Sequence, residues 1–274
     1  MQLDLVDVFV SGALSGNPLA VVRGGEGLSD AQMGAFAAWI GFSETTFLLP
    51  PDAGADYRVR IFTPTRELPF AGHPTLGSAF AWAAAGGVPA RDGVIVQQCG
   101  IGLVEVRADG GRLAFRAPPL LRSGPLCAQD RARAQDLLQL GEGDVQDAVH
   151  VNNGPDWRLL RLASAEAVLA VKPCAVAPDG TDLGVIGPRA DGGWELRAFF
   201  TKQSGIFAED PVTGSFNAGV AQYLYETGLA SGDYVAHQGR MVGADGRVYV
   251  SRDGADVWIG GDVRMVSGGG ALTI

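Results

Sequence analysis

Apolar and polar residues alternate from the first positions of the chain, so that MQLDLVDVFV reads as a strand over residues 3–10. The same two-residue period predicts strands at 18–23, 46–49, 57–62, 94–98, 102–107 and 112–116. In the second half it predicts strands at 148–151, 157–163, 167–171, 195–200, 234–237, 247–251 and 256–259. Helical spacing takes over at 29–40 (SDAQMGAFAAWI), which opens at a Ser or Asp cap, and a comparable helix is expected at 129–140. Two further runs, GHPTLGSAFAWAAAGG and EDPVTGSFNAGVAQYLYETG, leave a Pro-bearing turn and end at glycine. Their small and apolar residues, with few charges, predict two buried helices. Pro74 and Pro211 suit a first helical turn or the turn before it, where no amide is needed. Gly77 and Gly214 permit close backbone approach, and Ser78 and Ser215 fall at or just inside the helix starts. The stretch PPLLRSGP, 118–125, breaks both periods and reads as an inter-domain linker.

The two buried helices lie in segments that resemble each other. Residues 60–82 (RIFTPTRELPFAGHPTLGSAFAW) align without gaps on residues 197–219 (RAFFTKQSGIFAEDPVTGSFNAG), an offset of 137, with eight of 23 positions identical. At that offset Pro18 also falls on Pro155. The chain is therefore expected to be two related halves. In this alignment His73 matches Asp210, which would set the two side chains facing each other across a cleft between the halves.

Composition narrows the function classes. Lys and Arg number 21 against 30 Asp and Glu, a net charge of −9, which argues against nucleic acid as the main partner. The amino terminus lacks the charged start and long apolar run of a signal peptide, and no segment is apolar for long enough to span a membrane. A cytoplasmic enzyme is the expectation. Cys99, Cys127 and Cys174 are widely spaced and odd in number, and His73, His150 and His237 are scattered, so neither a disulfide framework nor a metal site is expected.

Helix starts rich in glycine, aimed at one cleft, offer free amides and partial positive charge to a substrate carboxylate or enolate. His73 and Asp210, ahead of those starts, can act as an acid–base pair. The plainer alternative is that GHP and EDP are turn-and-cap sequences. Glu44, in GFSETTF between a helix and an apolar strand, is by itself either a surface carboxylate or a base.

The stretches DVFVSGALSGNPLAVV, GFSETTF, RIFTPTRELPFAGHPTLG and EDPVTGS, in this order, resemble the PhzF-like phenazine-biosynthesis family. The resemblance implies an α/β (α+β) chain with the diaminopimelate epimerase-like fold. Two pseudo-symmetric halves, 1–118 plus 261–274 and 119–260, would each wrap a mainly antiparallel, barrel-like sheet around a central helix. The active site would lie in the cleft between them, and a strand at roughly 261–274 would return to the first half. It further implies Glu44 as general base and acid, with His73 and Asp210 binding and orienting substrate or assisting proton movement. Asn17, Ser43, Gly72, Gly214 and Ser215 would hold a substrate carboxylate or amine. No metal or organic cofactor is implied, and a homodimer is.

The family's best-known activity isomerises trans-2,3-dihydro-3-hydroxyanthranilate, so a small carboxylated ring is the expected substrate. Members of the epimerase branch place a cysteine at each helix start, and the positions here, Ala71 and Pro211 or their near neighbours, hold none. A racemase using Glu44 and Asp210 is one alternative, and a non-catalytic small-molecule-binding paralogue is another. Where many family members continue with Ala-His after EDPVTGS, this chain has Phe216-Asn217, a departure that bears on substrate choice.

Overall fold

The predicted strands and helices sort into two compact units in the computed structural model, which describes residues 1–52, 54–109, 111–202 and 205–274. One unit comprises residues 1–116 with 260–274, the other residues 117–259. The first runs β1 (Gln2–Val8), β2 (Asn17–Arg23), α1 (Asp30–Ile40), β3 (Thr45–Leu49), β4 (Tyr57–Phe62), β5 (Glu67–Leu68), α2 (Gly72–Ala84), β6 (Val94–Cys99), β7 (Gly102–Asp109) and β8 (Arg112–Arg116). The second runs β9 (Arg122–Pro125), α3 (Ala128–Leu138), β10 (Val145–Asn152), β11 (Arg158–Leu162), α4 (Ala165–Ala170), β12 (Asp182–Pro188), β13 (Trp194–Thr201), β14 (Phe207–Asp210), α5 (Gly214–Glu226), β15 (Tyr234–Gln238) and β16 (Gly246–Asp253). After β17 (Asp256–Gly261), β18 (Val263–Ala271) returns to pair antiparallel with β1.

Most paired strands are antiparallel, but among the described residues each unit also holds two parallel pairs. These are β2 with β3 and β4 with β6 in the first, and β11 with β12 and β13 with β15 in the second. Parallel neighbours cannot be joined by a tight turn, so the chain must cross over, and a helix fills each crossover. The helices are α1 and α2 in the first unit, α4 and α5 in the second. Ser29 caps α1 through a capping box with Gln32, and Gly41 ends it in the left-handed conformation. Met33, Phe36 and Ala37 then pack on Val22, Phe47 and Phe62. The sheet of the first unit surrounds α2, which touches β1, β2, β3, β4, β6, β7, β8 and β18.

Several expectations need correction. Residues 167–171 are not a strand: α4 occupies Ala165–Ala170, because the Ser164 hydroxyl caps it at the Ala167 amide. That apolar run is too short for periodicity to separate strand from helix. It follows that α4, not the helix at 129–140, is the topological counterpart of α1; α3 precedes the repeated pattern. Second, β12 was hidden by Gly184, Gly187 and Pro188, which read as breakers. Both glycines permit close approach: a Cβ at Gly184 would meet the Phe216 ring at 2.0 Å, and one at Gly187 the Ser164 carbonyl at 2.3 Å. Part of the expected linker is β9, paired with β10.

The third correction concerns the repeat. Arg60 and Arg197 do match: each lies 5.0 Å from the ring of the second residue after it and makes a bidentate ion pair to a glutamate of the following short strand, Glu67 or Glu209. Beyond Phe62 and Phe199 the gap-free alignment fails. Phe62 faces Glu67, whereas the β13–β14 ladder continues past Phe199 through Phe200 and Thr201 before turning. The longer hairpin delays α5 relative to α2, so Gly72 matches Gly214, His73 matches Ser215, and Gly77 matches Gly219. Asp210 corresponds to Leu68 and not to His73. Ser78, expected near a helix start, lies well inside α2 and donates to Thr46 Oγ1 at 3.0 Å.

Gly77 and Gly219 let the central helices press on their sheets. A Cβ at Gly77 would stand 2.5 Å from Leu19 Cδ2, and one at Gly219 2.6 Å from the Val151 carbonyl oxygen. Alanine normally favours a helix interior over glycine by roughly 1 kcal/mol. Here Gly219→Ala is expected to destabilise by about 2–3 kcal/mol, because a backbone carbonyl cannot yield. Gly77→Ala is expected to cost less, since the Leu19 side chain can move. Urea midpoints of the two variants test this order.

Candidate active site

Register gathers the first unit's candidate residues at one end of its sheet. Val8, which ends β1, lies opposite Asn17, which begins β2; Ala20 of β2 lies beside Thr45, which begins β3. Ser43 and Glu44 immediately precede β3 and are half-buried, between the Gly41 cap of α1 and a strand buried throughout. Gly72 and His73 are the first two residues of α2. The turn before Asn17 is fixed by Asp7, whose buried carboxylate accepts the Gly16 amide at 3.1 and 3.3 Å. Burial pushes the Asp7 carboxyl up, and the Gly16 and Ser15 amides and the charge of Arg264 oppose it.

Glu44 and His73 meet: Oε2 is 3.5 Å from Nδ1. The imidazole is buried, and burial lowers its pKa to about 3 despite the Pro18 carbonyl beside it, which favours the charged form. The ring is therefore neutral at physiological pH, and its contact with Glu44 is a polar contact and not an ion pair. A neutral imidazole next to a carboxyl can exchange a hydrogen bond with it in either protonation state.

In the second unit the corresponding place is the start of α5, with Gly214 and Ser215 as its first two residues. The loop after β10 reaches it. Asn153 Nδ2 donates to the Ser215 carbonyl at 2.8 Å, and Trp157 Nε1 donates to Ser215 Oγ at 3.0 Å. Since Ser215 Oγ accepts the Trp157 hydrogen bond, its own proton is left for another acceptor. Asp210, the last residue of β14, is buried and accepts from Thr213 Oγ1 at 2.6 Å. Phe216 does not line this start; its ring is fully buried, 5.2 Å from that of Trp157 and over Gly184. Asn217 is buried too, held by Gln238 at 2.9 Å.

Side-chain capping separates these two helices from the others. Ser29, Cys127 and Ser164 cap α1, α3 and α4, whereas Ala71 and Thr213 make no side-chain cap to α2 and α5. Amides at both starts thus lack the partner that an N-cap side chain gives, which suits an anionic group. None of the three cysteines lies at either start, and among the described residues no group of three His, Cys, Asp or Glu is placed to hold a metal. Among the described residues no helix is long and apolar enough to cross a membrane. A hollow of about 630 Å³ beside Arg58, Arg60 and Cys99 holds none of these residues; Arg60 there is paired with Glu67, and burial pushes the Cys99 thiol up.

Sequence reading missed Thr213, Gln238, Asn153 and Trp157. The signal available for Gln238 was a polar residue on the inward face of the alternating strand YVAHQ, next to a glycine.

The His73 pKa fixes a sign for stability. Its folded value, about 3, lies below the ordinary value of about 6.5, so the unfolded chain binds the proton more readily. Stability from this group is complete above pH 6.5 and is lost as pH falls toward 3. Relative to pH 7.5, the parent should lose on the order of 1–2 kcal/mol more than His73→Gln by pH 5, read from urea unfolding at each pH.

The sequence profile of the phenazine biosynthesis-like protein family matches residues 6–269. The antisense-enhancing sequence 1 protein of Schizosaccharomyces pombe is 33% identical over 234 residues, covering 80% of this chain and 78% of its own. A trans-2,3-dihydro-3-hydroxyanthranilate isomerase of Pseudomonas aeruginosa is 32% identical over 273 residues, 97% of this chain and 95% of its own. A PhzF-family crystal structure from Enterococcus faecalis superposes with a TM-score of 0.80 at 26% identity, covering 100% of both chains. The fold is thus the diaminopimelate epimerase-like one that the motifs implied, and the chain belongs to the phenazine biosynthesis-like, PhzF, protein family.

Proposed function

We propose that this protein is an isomerase that moves one hydrogen between two carbons of a small carboxylated ring, without metal or organic cofactor. The substrate to test first is trans-2,3-dihydro-3-hydroxyanthranilate, the compound for which its Pseudomonas aeruginosa relative is named. The observation that carries this reading is a half-buried carboxylate, Glu44, held 3.5 Å from a neutral imidazole beside the uncapped start of α2.

In this reading Glu44 takes the proton from ring C3, and the electron pair of the broken C–H bond enters the conjugated system. The protonated glutamate then returns the proton at C1, and the enol so formed tautomerises to a ketone. One carboxyl group serves as base and then as acid, so no external proton donor is consumed. His73 stays neutral and orients Glu44 and the substrate. Amides at Gly72 and Gly214, with Asn17, Ser43 and the Ser215 hydroxyl, hold the substrate carboxylate and amine, and Asp210 orients the ring. The family resemblance suggests a homodimer and the sequence a cytoplasmic protein, and the reading takes both.

Turnover of that compound in D2O, followed by NMR at C1 and C3, tests the reading. Wild type is expected to convert it, and Glu44→Gln to be slower by about 10²–10⁴-fold, the usual range for a lost acid–base group. Equal turnover by the two proteins would remove Glu44 from the proton-carrying role. A folded wild type that leaves the compound untouched would remove the substrate.

A further inference from the structure

The second unit ends a directional chain of hydrogen bonds on Asp210. Gln238, the last residue of β15, is fully buried. Its Oε1 accepts from the Thr213 amide at 3.1 Å and from Asn217 Nδ2 at 2.9 Å. Its Nε2 donates to the Asp210 carbonyl at 3.2 Å and to Thr213 Oγ1 at 3.0 Å. Turning the amide over would set its NH2 against the Thr213 N–H, a donor with no freedom to reverse, so the surroundings fix its orientation. Asn217 is fixed as well, because Nδ2 also donates to the Thr213 carbonyl at 2.9 Å.

The Thr213 hydroxyl has one proton. Its oxygen accepts from Gln238, and its proton goes to Asp210 Oδ2, 2.6 Å away, a length typical of a hydroxyl donating to a carboxylate. Direction therefore runs from Asn217 through Gln238 and Thr213 to an oxygen that must accept. Gly239 completes the fit: it has φ +98°, and a Cβ there would stand 2.4 Å from the Pro211 carbonyl oxygen, so β15 presses against the turn between Asp210 and Thr213.

A glutamine in the first unit makes a chain of the same kind with a different end. Tyr57 donates to Gln97 Oε1 at 2.9 Å, and Gln97 Nε2 donates to Thr75 Oγ1 at 3.0 Å. Thr75 then donates to the Ala71 carbonyl at 2.9 Å. There the last proton supports only the backbone of α2; in the second unit it reaches a carboxylate.

We propose that Gln238 and Thr213 are positioning residues for Asp210: they keep one carboxylate oxygen occupied and the group ionised, so that Asp210 meets substrate as an acceptor for an N–H or O–H. The inference rests on the reading of Asp210 as a substrate-binding residue, but its first test needs no turnover. The side-chain carboxyl ¹³C resonance of Asp210, assigned by its loss in Asp210→Asn, is measured at neutral pH. It should hold its position in Thr213→Ser and move in Thr213→Val. It should also move in Gln238→Glu, whose carboxylate draws the Thr213 proton away while leaving Thr213 in place. A resonance that stays put in Thr213→Val or in Gln238→Glu, or that moves equally in Thr213→Ser, overturns the proposal. With trans-2,3-dihydro-3-hydroxyanthranilate, KM should rise about tenfold in Thr213→Val, kcat should change less, and Thr213→Ser should restore both. Absence of turnover in wild type would count against the substrate and leave the resonance result standing.

Discussion

A helix whose first turn is buried has amide groups that need partners, and in both units of this protein no N-cap side chain supplies one. Much of each unit is arranged around that need. Glycines inside the helices bring them onto the sheets; in the second unit the loop after β10 reaches the start of α5; a buried glutamine from a later strand holds polar groups of each first turn. The candidate chemistry sits at these starts because they are the places in the core where polarity is required in any case.

The two starts have diverged in charge. The first carries a carboxyl beside an imidazole that burial keeps uncharged, a setting in which a proton can be taken up or given back without creating a buried ion pair. The second carries a carboxylate tied to a hydroxyl, which favours one state. The same contrast appears in the matched ion pairs: Arg60 with Glu67 is partly open to solvent, whereas Arg197 with Glu209 is buried and its guanidinium also reaches the carbonyls that end α4.

Much of the fold was legible because alternation and capping act locally. The strands around Val6, Val59 and Val104 and the Ser29 cap follow from residues next to one another in the chain, whereas the returning strand at roughly 261–274 was implied only by the family motifs. The exact correspondence of the halves was not legible. The β13–β14 hairpin is longer by five residues, two in each strand and one between them, and the additions within the strands keep the alternation intact, so the pattern does not mark the insertion. Pro and Gly recur at turns for reasons of backbone geometry, and their coincidence made the gap-free alignment persuasive. Glu44 and His73 were legible through family motifs; the partnership of Gln238 with Thr213 was not, because it joins a strand end to a turn 25 residues earlier.

Pairing of the last strand with the first has a consequence for how the chain is made. Along β1, Gln2 faces Ala271 and Val8 faces Val263, so one edge of this strand gains its partner only once residues 263–271 have been synthesised. At translation rates of about 5–20 residues per second that edge stays open for roughly ten seconds or more. Residues 117–259, which form the other compact unit, emerge in the meantime. An unpaired strand edge is a template for association with other chains, which makes the nascent first unit the point at which this protein is most exposed to misassembly.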